Sequence, residues 1–497
     1  MLHNSRREFL QIGLGAAAQG ANADDPKIKH IIVLMLENRS FDHILAFSGV
    51  PGTELPHPIS ETDGVGQRVP LASLKQTPDT NVDPDPDHDF EAVMMQLYGQ
   101  KTYDPKSTPT MDHFVRTYQA TCQKAKDAGD HPNWSAADIV RHSHNVMACH
   151  PRENVPILAF LAETYALCTN WYSSLPGPTL PNRLFAHLGT SMGRLDMAAF
   201  DLEAPKSVYE LLNEYGVSST IYSGGWSLSA TFRRLLSHQD QYFGTLDDFY
   251  QDCADNDLPG YCFLEPRYGP EIIDSVYRPQ NDQHPDSDLR DGEELILSVY
   301  HAIRGRREIW ESSVLIITYD EHGGIFDHRP PPPAIPPDSC VSCDPPFDFT
   351  RYGVRVPAVI VSAYTPKMII DDICDHTSLI ACARKRLTGV WRDEQLGKRA
   401  QQAYPLDKAF GPRRSDADDP PRLRSRSYRS VHPRPMNHLQ EAHFEMAKSV
   451  EAGLPAHRRT GIDTSKIKTD QQAQHYVSRV YAHAAGFPSP RGRKCGC

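Results

Sequence analysis

Five short apolar runs punctuate the chain between residues 28 and about 395: "IIVLML" (31–36), "SSTIYS" (218–223), "YCFLE" (261–265), "SVLIITY" (313–319) and "PAVIVSA" (357–363). Several are apolar at every position rather than at alternate ones, which predicts strands of a parallel sheet covered on both faces. Two further stretches, "EELILSVYHAIRGR" (293–306) and "HTSLIACARKRLTG" (376–389), carry apolar residues at helical spacing. Strands alternating with helices predict an α/β fold with a mainly parallel central sheet. Residues 50–135 are rich in Pro, Asp, Thr and His and show little periodicity. "HRPPPPAIPPDSCVSCDPP" (328–346) is excluded from helix and central strand, because proline removes a donor and fixes φ, and it predicts a rim loop. From about residue 411 a charged, proline-rich linker leads to two modest helices, expected at 437–452 and 468–485.

Two of the strands end alike. "HIIVLMLEN" delivers Glu37 and Asn38, and "SVLIITYDEHGG" delivers Asp320 and Glu321. In open α/β sheets, functional groups gather at the carboxyl ends of the strands. Either pair alone reads as a helix cap or a solvated turn. Together, on parallel neighbours, they put three carboxylates and an amide carbonyl into one pocket, which calls for a cation. An all-oxygen set favours a hard divalent ion, Ca²⁺, Mg²⁺ or Mn²⁺, over zinc. A third element is "SSLPGPTLPNRLFAHLGTS" (173–191), where a proline-tight turn sets Thr179 ahead of a helix expected to start near Pro181. The hydroxyl there either caps the helix or, facing its positive end beside a metal, serves as a nucleophile toward phosphate.

"ENRSFDH", "LPGPTLPNRLF" and "DEHGGIFDH", in that order, closely resemble the motifs of a phosphoesterase family. That family comprises bacterial phosphatidylcholine-type (non-haemolytic-like) phospholipases C, plant non-specific phospholipases C and related acid phosphatases. The resemblance spans roughly residues 28–390 and implies an alkaline-phosphatase-like α/β/α sandwich. It also implies that Glu37, Asn38, Asp320 and Glu321 hold one divalent metal ion, with Thr179, also near the metal, accepting the phosphoryl group. His88 in "PDHDF" and His284 in "NDQHP" resemble the family's active-site histidines, suited to protonating a leaving alkoxide and to binding phosphate oxygens. Arg183 reads as a phosphate clamp or a surface charge. His43, His322, His328 and His376 lie in or near the motifs and are expected to be structural. The implied activity is that of a phospholipase C, which cleaves phosphatidylcholine-like lipids to diacylglycerol and a phosphorylated head group through a phosphothreonine. An acid phosphatase acting on phosphomonoesters is the alternative, and a degenerate phospholipid-binding protein is a third reading. Threonine in a "GPTLPNR" context resembles the phospholipase branch.

Composition narrows the partners. The 497 residues are 39% hydrophobic and 23% charged, as in a soluble globular protein. A net charge of -11 argues against nucleic acid but not against transient contact with a zwitterionic lipid surface. In "SRREFLQIGLGAAAQGANA", Arg6-Arg7 precede a short apolar stretch and Ala21-x-Ala23 precedes Asp24. This reads as a twin-arginine export signal over 1–23, implying the export machinery as a partner and a secreted or periplasmic location. No other stretch approaches the ~18 consecutive apolar residues of a spanning helix. The expected organisation is therefore a signal (1–23), a catalytic domain (28–410) and a linker with a short helical extension (411–497). The 11 cysteines include Cys340-x-x-Cys343 and Cys495-x-Cys497, open to a metal knuckle, a local disulfide or free thiols.

Overall fold

The computed structural model describes residues 28–74, 82–197, 205–273, 276–390, 394–414, 419–423 and 434–484. The export signal and Cys495-x-Cys497 lie outside the described residues. Eight strands form the central sheet: β1 (His30–Leu36), β2 (Ala166–Cys168), β3 (Ser219–Ser223), β4 (Phe243–Thr245), β5 (Tyr261–Glu265), β6 (Ser313–Tyr319), β7 (Ala358–Ser362) and β8 (Met368–Ile370). Their order across the sheet is β8-β2-β7-β6-β1-β5-β3-β4. Every pairing is parallel except those of β7, which runs antiparallel to β6 and to β2. The five apolar runs are all strands of this sheet. The central ones are buried almost throughout, because helices cover both faces and leave no solvent side for polar residues.

One set of helices comprises α4 (Pro156–Thr164), α6 (Leu246–Asp255) and α7 (Leu289–Arg304), which pack on one another and on the sheet. A second set contains α5 (Thr179–Leu188) and α8 (Thr377–Thr388). The result is an α/β/α sandwich. Helix α7 begins where the Asp288 side chain accepts the Arg290 N–H, and α8 stops at Gly389, whose φ of 74° few other residues adopt.

Residues 50–135, despite their weak periodicity, hold regular structure. They contain α2 (Phe90–Tyr98) and α3 (Phe114–Ala128). Phe114, Val115, Tyr118 and Cys122 of α3 pack with Val93 and Leu97 of α2 in a core separate from that of the sheet. The 328–346 segment is a loop with one two-residue pairing, and its Cys343 is a free, exposed thiol, so "CVSC" holds no local disulfide. The two C-terminal helices are α9 (His438–Gly453) and α10 (Asp470–Ala484), which pack against each other. Among the described residues, no helix is long and apolar enough to cross a membrane.

Burial sets an acid limit on this fold. His187 of α5 is enclosed, with Nδ1 2.9 Å from Tyr209 Oη and Nε2 3.3 Å from Ser229 Oγ. Burial, reinforced by the Arg183 charge, lowers its pKa to about 3. Below the ordinary histidine pKa of ~6.5 the unfolded chain takes up a proton that the folded chain refuses. The contribution is therefore fully present above that pH and is lost as pH falls toward about 3, by on the order of 4 kcal/mol. Melting curves recorded from pH 7 to pH 4 should fall more steeply for the wild type than for His187→Gln. Equal slopes would refute this account.

Candidate active site

The parallel register of β1 and β6 sets Leu36 opposite Tyr319, so the residues that follow, Glu37 and Asp320, emerge side by side at the carboxyl edge of the sheet. The chain then turns sharply. Asn38 has a φ of 51°, and its N–H donates to Asp320 Oδ1 at 3.1 Å. Gly323, at φ 63°, lets the third motif pass so close that an added Cβ would stand 2.3 Å from the Asn38 carbonyl oxygen. The cap of the following helix, α1 (Phe41–Leu45), is Ser40, whose Oγ accepts the His43 N–H. Glu37 and Asn38 thus do no capping and face the site.

Thr179 is the first residue of α5, two positions earlier than expected. The N-cap is Pro178, and no side chain caps this end. The Thr179 hydroxyl points instead at the strand tips, 3.2 Å from Asn38 Oδ1 and 3.3 Å from Glu37 Oε2. One turn along, Arg183 sits between two carboxylates. Its Nε donates to Asp320 Oδ2 at 3.0 Å and its Nη2 to Glu37 Oε1. This corrects the alternative of a surface charge: Arg183 is buried and is itself a counter-ion of the strand-tip carboxylates. Its Nη1 has no hydrogen-bond partner among the described residues.

His88 closes the cluster from the 50–135 insertion. Its Nδ1 is 2.6 Å from the Pro86 carbonyl, so Nε2 is the nitrogen that exchanges a proton, 3.3 Å from Asn38 Nδ2 and 3.7 Å from Glu321 Oε1. Burial opposes a charge on His88, but the Glu321 and Asp85 carboxylates outweigh it and raise its pKa to about 9. Glu321 is pushed up by burial, yet His88 and His322 hold it below the usual carboxylate value. For Glu37, burial wins over Arg183, and with Asp320 nearby its pKa is raised well above normal. His284 stands beside this cluster rather than in it, linked through the Glu37 N–H that donates to the Asp282 carbonyl at 2.8 Å. Its Nδ1 meets Asp286 Oδ1 at 2.6 Å and its Nε2 lies 3.4 Å from Asp85 Oδ2. A cavity of about 1090 Å³ opens here, lined by His88, Asp85, Asp286, Trp134, Asn437 and His438 among others.

The donor set suits a hard cation. The single Thr179 proton faces two acceptors, and Glu321 Oε1 is buried with no hydrogen-bond donor among the described residues. Oxygen atoms left short of protons in this way are ligands for an ion such as Mg²⁺ or Ca²⁺. A second group, Asp42, Asp327 and His328, also has ligand atoms close enough to share a metal. Here, however, Arg355 already fills the place of the cation. It donates to Asp42 Oδ1 at 2.8 Å and to Asp327 Oδ1 at 3.1 Å, while His328 Nδ1 is 2.7 Å from Asp42 Oδ2. The group ties the first motif to the third.

Sequence reasoning gave no role to Arg39, Asp85, Asp286 or Arg355. Arg39 carries a signal, as it lies inside "ENRSFDH"; its Nε and Nη2 donate to the Gln283 and His284 carbonyls at 2.6 and 2.9 Å and so fix the histidine turn. Of the other motif histidines, His322 Nε2 bonds Gln96 and His376 Nε2 bonds the Asp320 carbonyl.

The chain is 32% identical to the non-specific phospholipase C3 of Arabidopsis thaliana over 369 residues, covering 70% of this chain and 65% of that protein. It is 34% identical to the non-specific phospholipase C6 of the same plant, covering 70% and 64%. It is 27% identical to the phospholipase C A of Mycobacterium tuberculosis, covering 80% and 84%. The match therefore spans slightly less than two thirds of these plant relatives. Among solved structures, a protein in the alkaline phosphatase superfamily from Vibrio parahaemolyticus aligns with 52% of this chain and 66% of its own, at 13% identity and a TM-score of 0.32, too loosely to bear on the site. A family model described as the Phosphoesterase family matches residues 28–388, the span that holds all three motifs, and the chain belongs to that family.

Proposed function

We propose that the chain is a metal-dependent phospholipase C acting on phosphatidylcholine-like lipids outside the cytoplasm. The observation that carries this reading is the Thr179 hydroxyl, which leaves its own helix uncapped and faces Asn38 and Glu37 instead. Glu37, Asn38, Asp320, Glu321 and Thr179 would hold one hard divalent ion, which supplies charge stabilisation and favours loss of the hydroxyl proton. Thr179, as the alkoxide, attacks phosphorus. The bond from phosphorus to the glycerol-side oxygen breaks, and His88 protonates that oxygen from Nε2, releasing diacylglycerol. Water then gives a proton to His88 and attacks the phosphothreonine, freeing the phosphorylated head group and restoring Thr179. Arg183 Nη1, buried and without a hydrogen-bond partner among the described residues, and His284 Nε2, which faces the Asp85 carboxylate at 3.4 Å, supply donors for the phosphate oxygens.

The test is parallel turnover by purified protein of phosphatidylcholine in mixed micelles and of p-nitrophenyl phosphate, with and without EDTA. Diacylglycerol release should outpace monoester cleavage, and EDTA should abolish both until Mg²⁺, Mn²⁺ or Ca²⁺ is restored. A preference for the monoester would make the chain an acid phosphatase. Indifference to EDTA would remove the metal.

A further inference from the structure

Helices α9 and α10 lie beyond residue 388, where the family match ends, yet α9 begins at the candidate site. Its N-cap is Asn437, whose Oδ1 accepts the Gln440 N–H at 2.9 Å. That bond fixes which way the amide faces. The other half of the amide, Nδ2, donates to Asp286 Oδ2 at 3.2 Å, with Oδ1 at 3.4 Å. Asp286 in turn holds His284 Nδ1. Two neighbours brace the same junction: Arg434 Nη1 donates to the Asp286 carbonyl at 2.9 Å, and Gln440 Nε2 to the Tyr268 carbonyl at 3.0 Å. Beneath them, Leu439 and Ala442 bury in one apolar cluster with Leu180, the residue next to Thr179.

We infer that Asn437 is a positioning residue for His284, acting through Asp286, so that the C-terminal helical pair completes the phosphate-binding side of the active site. A carboxylate free to rotate fixes an imidazole poorly. One whose oxygens are pinned by a second donor sets both the tautomer and the direction of Nε2. His284 and Asn437 are 0% and 8% exposed, so water competes little for these bonds. The inference rests on the reading of His284 as a phosphate-binding residue.

Asn437→Asp keeps a good helix cap but sets a carboxylate against Asp286, and Asn437→Ser keeps a cap without adding charge. With phosphatidylcholine in mixed micelles, each should lower kcat roughly tenfold, as expected for a misplaced reacting group, with little change in KM. In a His284→Ala background, the same substitutions should cost nothing further, because groups acting as one unit are not additive. Additive losses would overturn the inference, since Asn437 would then act independently of His284. Full activity of both Asn437 variants beside a crippled His284→Ala enzyme would overturn it as well, leaving the role of His284 intact. A fully active His284→Ala enzyme would instead remove the reading of His284, and the inference with it.

Discussion

Thr179→Ala is expected to lower phospholipid turnover by on the order of 10³-fold or more, about 4 kcal/mol of barrier, while the melting temperature stays near that of the wild type. The two halves of that expectation come from one piece of geometry. Because the hydroxyl makes no cap bond to α5, its removal spares the ~1 kcal/mol that loss of a capping threonine costs. Because it faces Asn38 Oδ1 and Glu37 Oε2, its removal deletes the proposed nucleophile. Thr179→Ser keeps the oxygen and should remain measurably active. Acid quenching of the wild type during turnover should trap phosphate on Thr179. A well-folded, fully active alanine variant would end the covalent route, whatever became of the metal.

Arg355→Met should destabilise the protein by about 3–5 kcal/mol, the usual cost of leaving buried charges without their partner. Arg355 is 1% exposed, lies over the Phe41 ring at 4.0 Å and bonds both Asp42 and Asp327. Without it, two buried carboxylates face each other with only His328 between them. Thermal melting of the purified variant measures the effect. Added Mg²⁺ or Ca²⁺ should fail to restore the wild-type melting temperature, because the group is an ion-pair clasp. Full rescue by a divalent ion would reassign Asp42, Asp327 and His328 as a metal site.

Much of this site is legible in the sequence. Glu37, Asn38, Asp320 and Glu321 follow wholly apolar strands, and a mainly parallel sheet gathers such strand ends at one edge. Thr179 was placed within two residues by its prolines. The counter-charges were not legible, because pairing across 137 or 146 residues, as Arg183 does with Asp320 and Glu37, leaves no periodic trace. The direction of β7 was hidden as well, since an apolar run reads the same in either sense. That direction matters: an antiparallel strand begins at the catalytic edge, and so Arg355, just before β7, is delivered there. Helices α2 and α3 escaped notice because both sit among proline-rich turns, α2 is short and much of α3 is polar. A helix near 437–452 was legible, but the bond from its cap, Asn437, to Asp286 needed the fold.

The sheet closes on both sides with strands of only three residues, β4 and β8. Among the described residues each presents roughly 10 Å of unpaired backbone, too little ladder to recruit a strand from another molecule firmly. On the proposed reading the enzyme works at a lipid surface, where it would be crowded against its own copies. Clipped edges let such copies collide without the edge-to-edge zippering that begins aggregation.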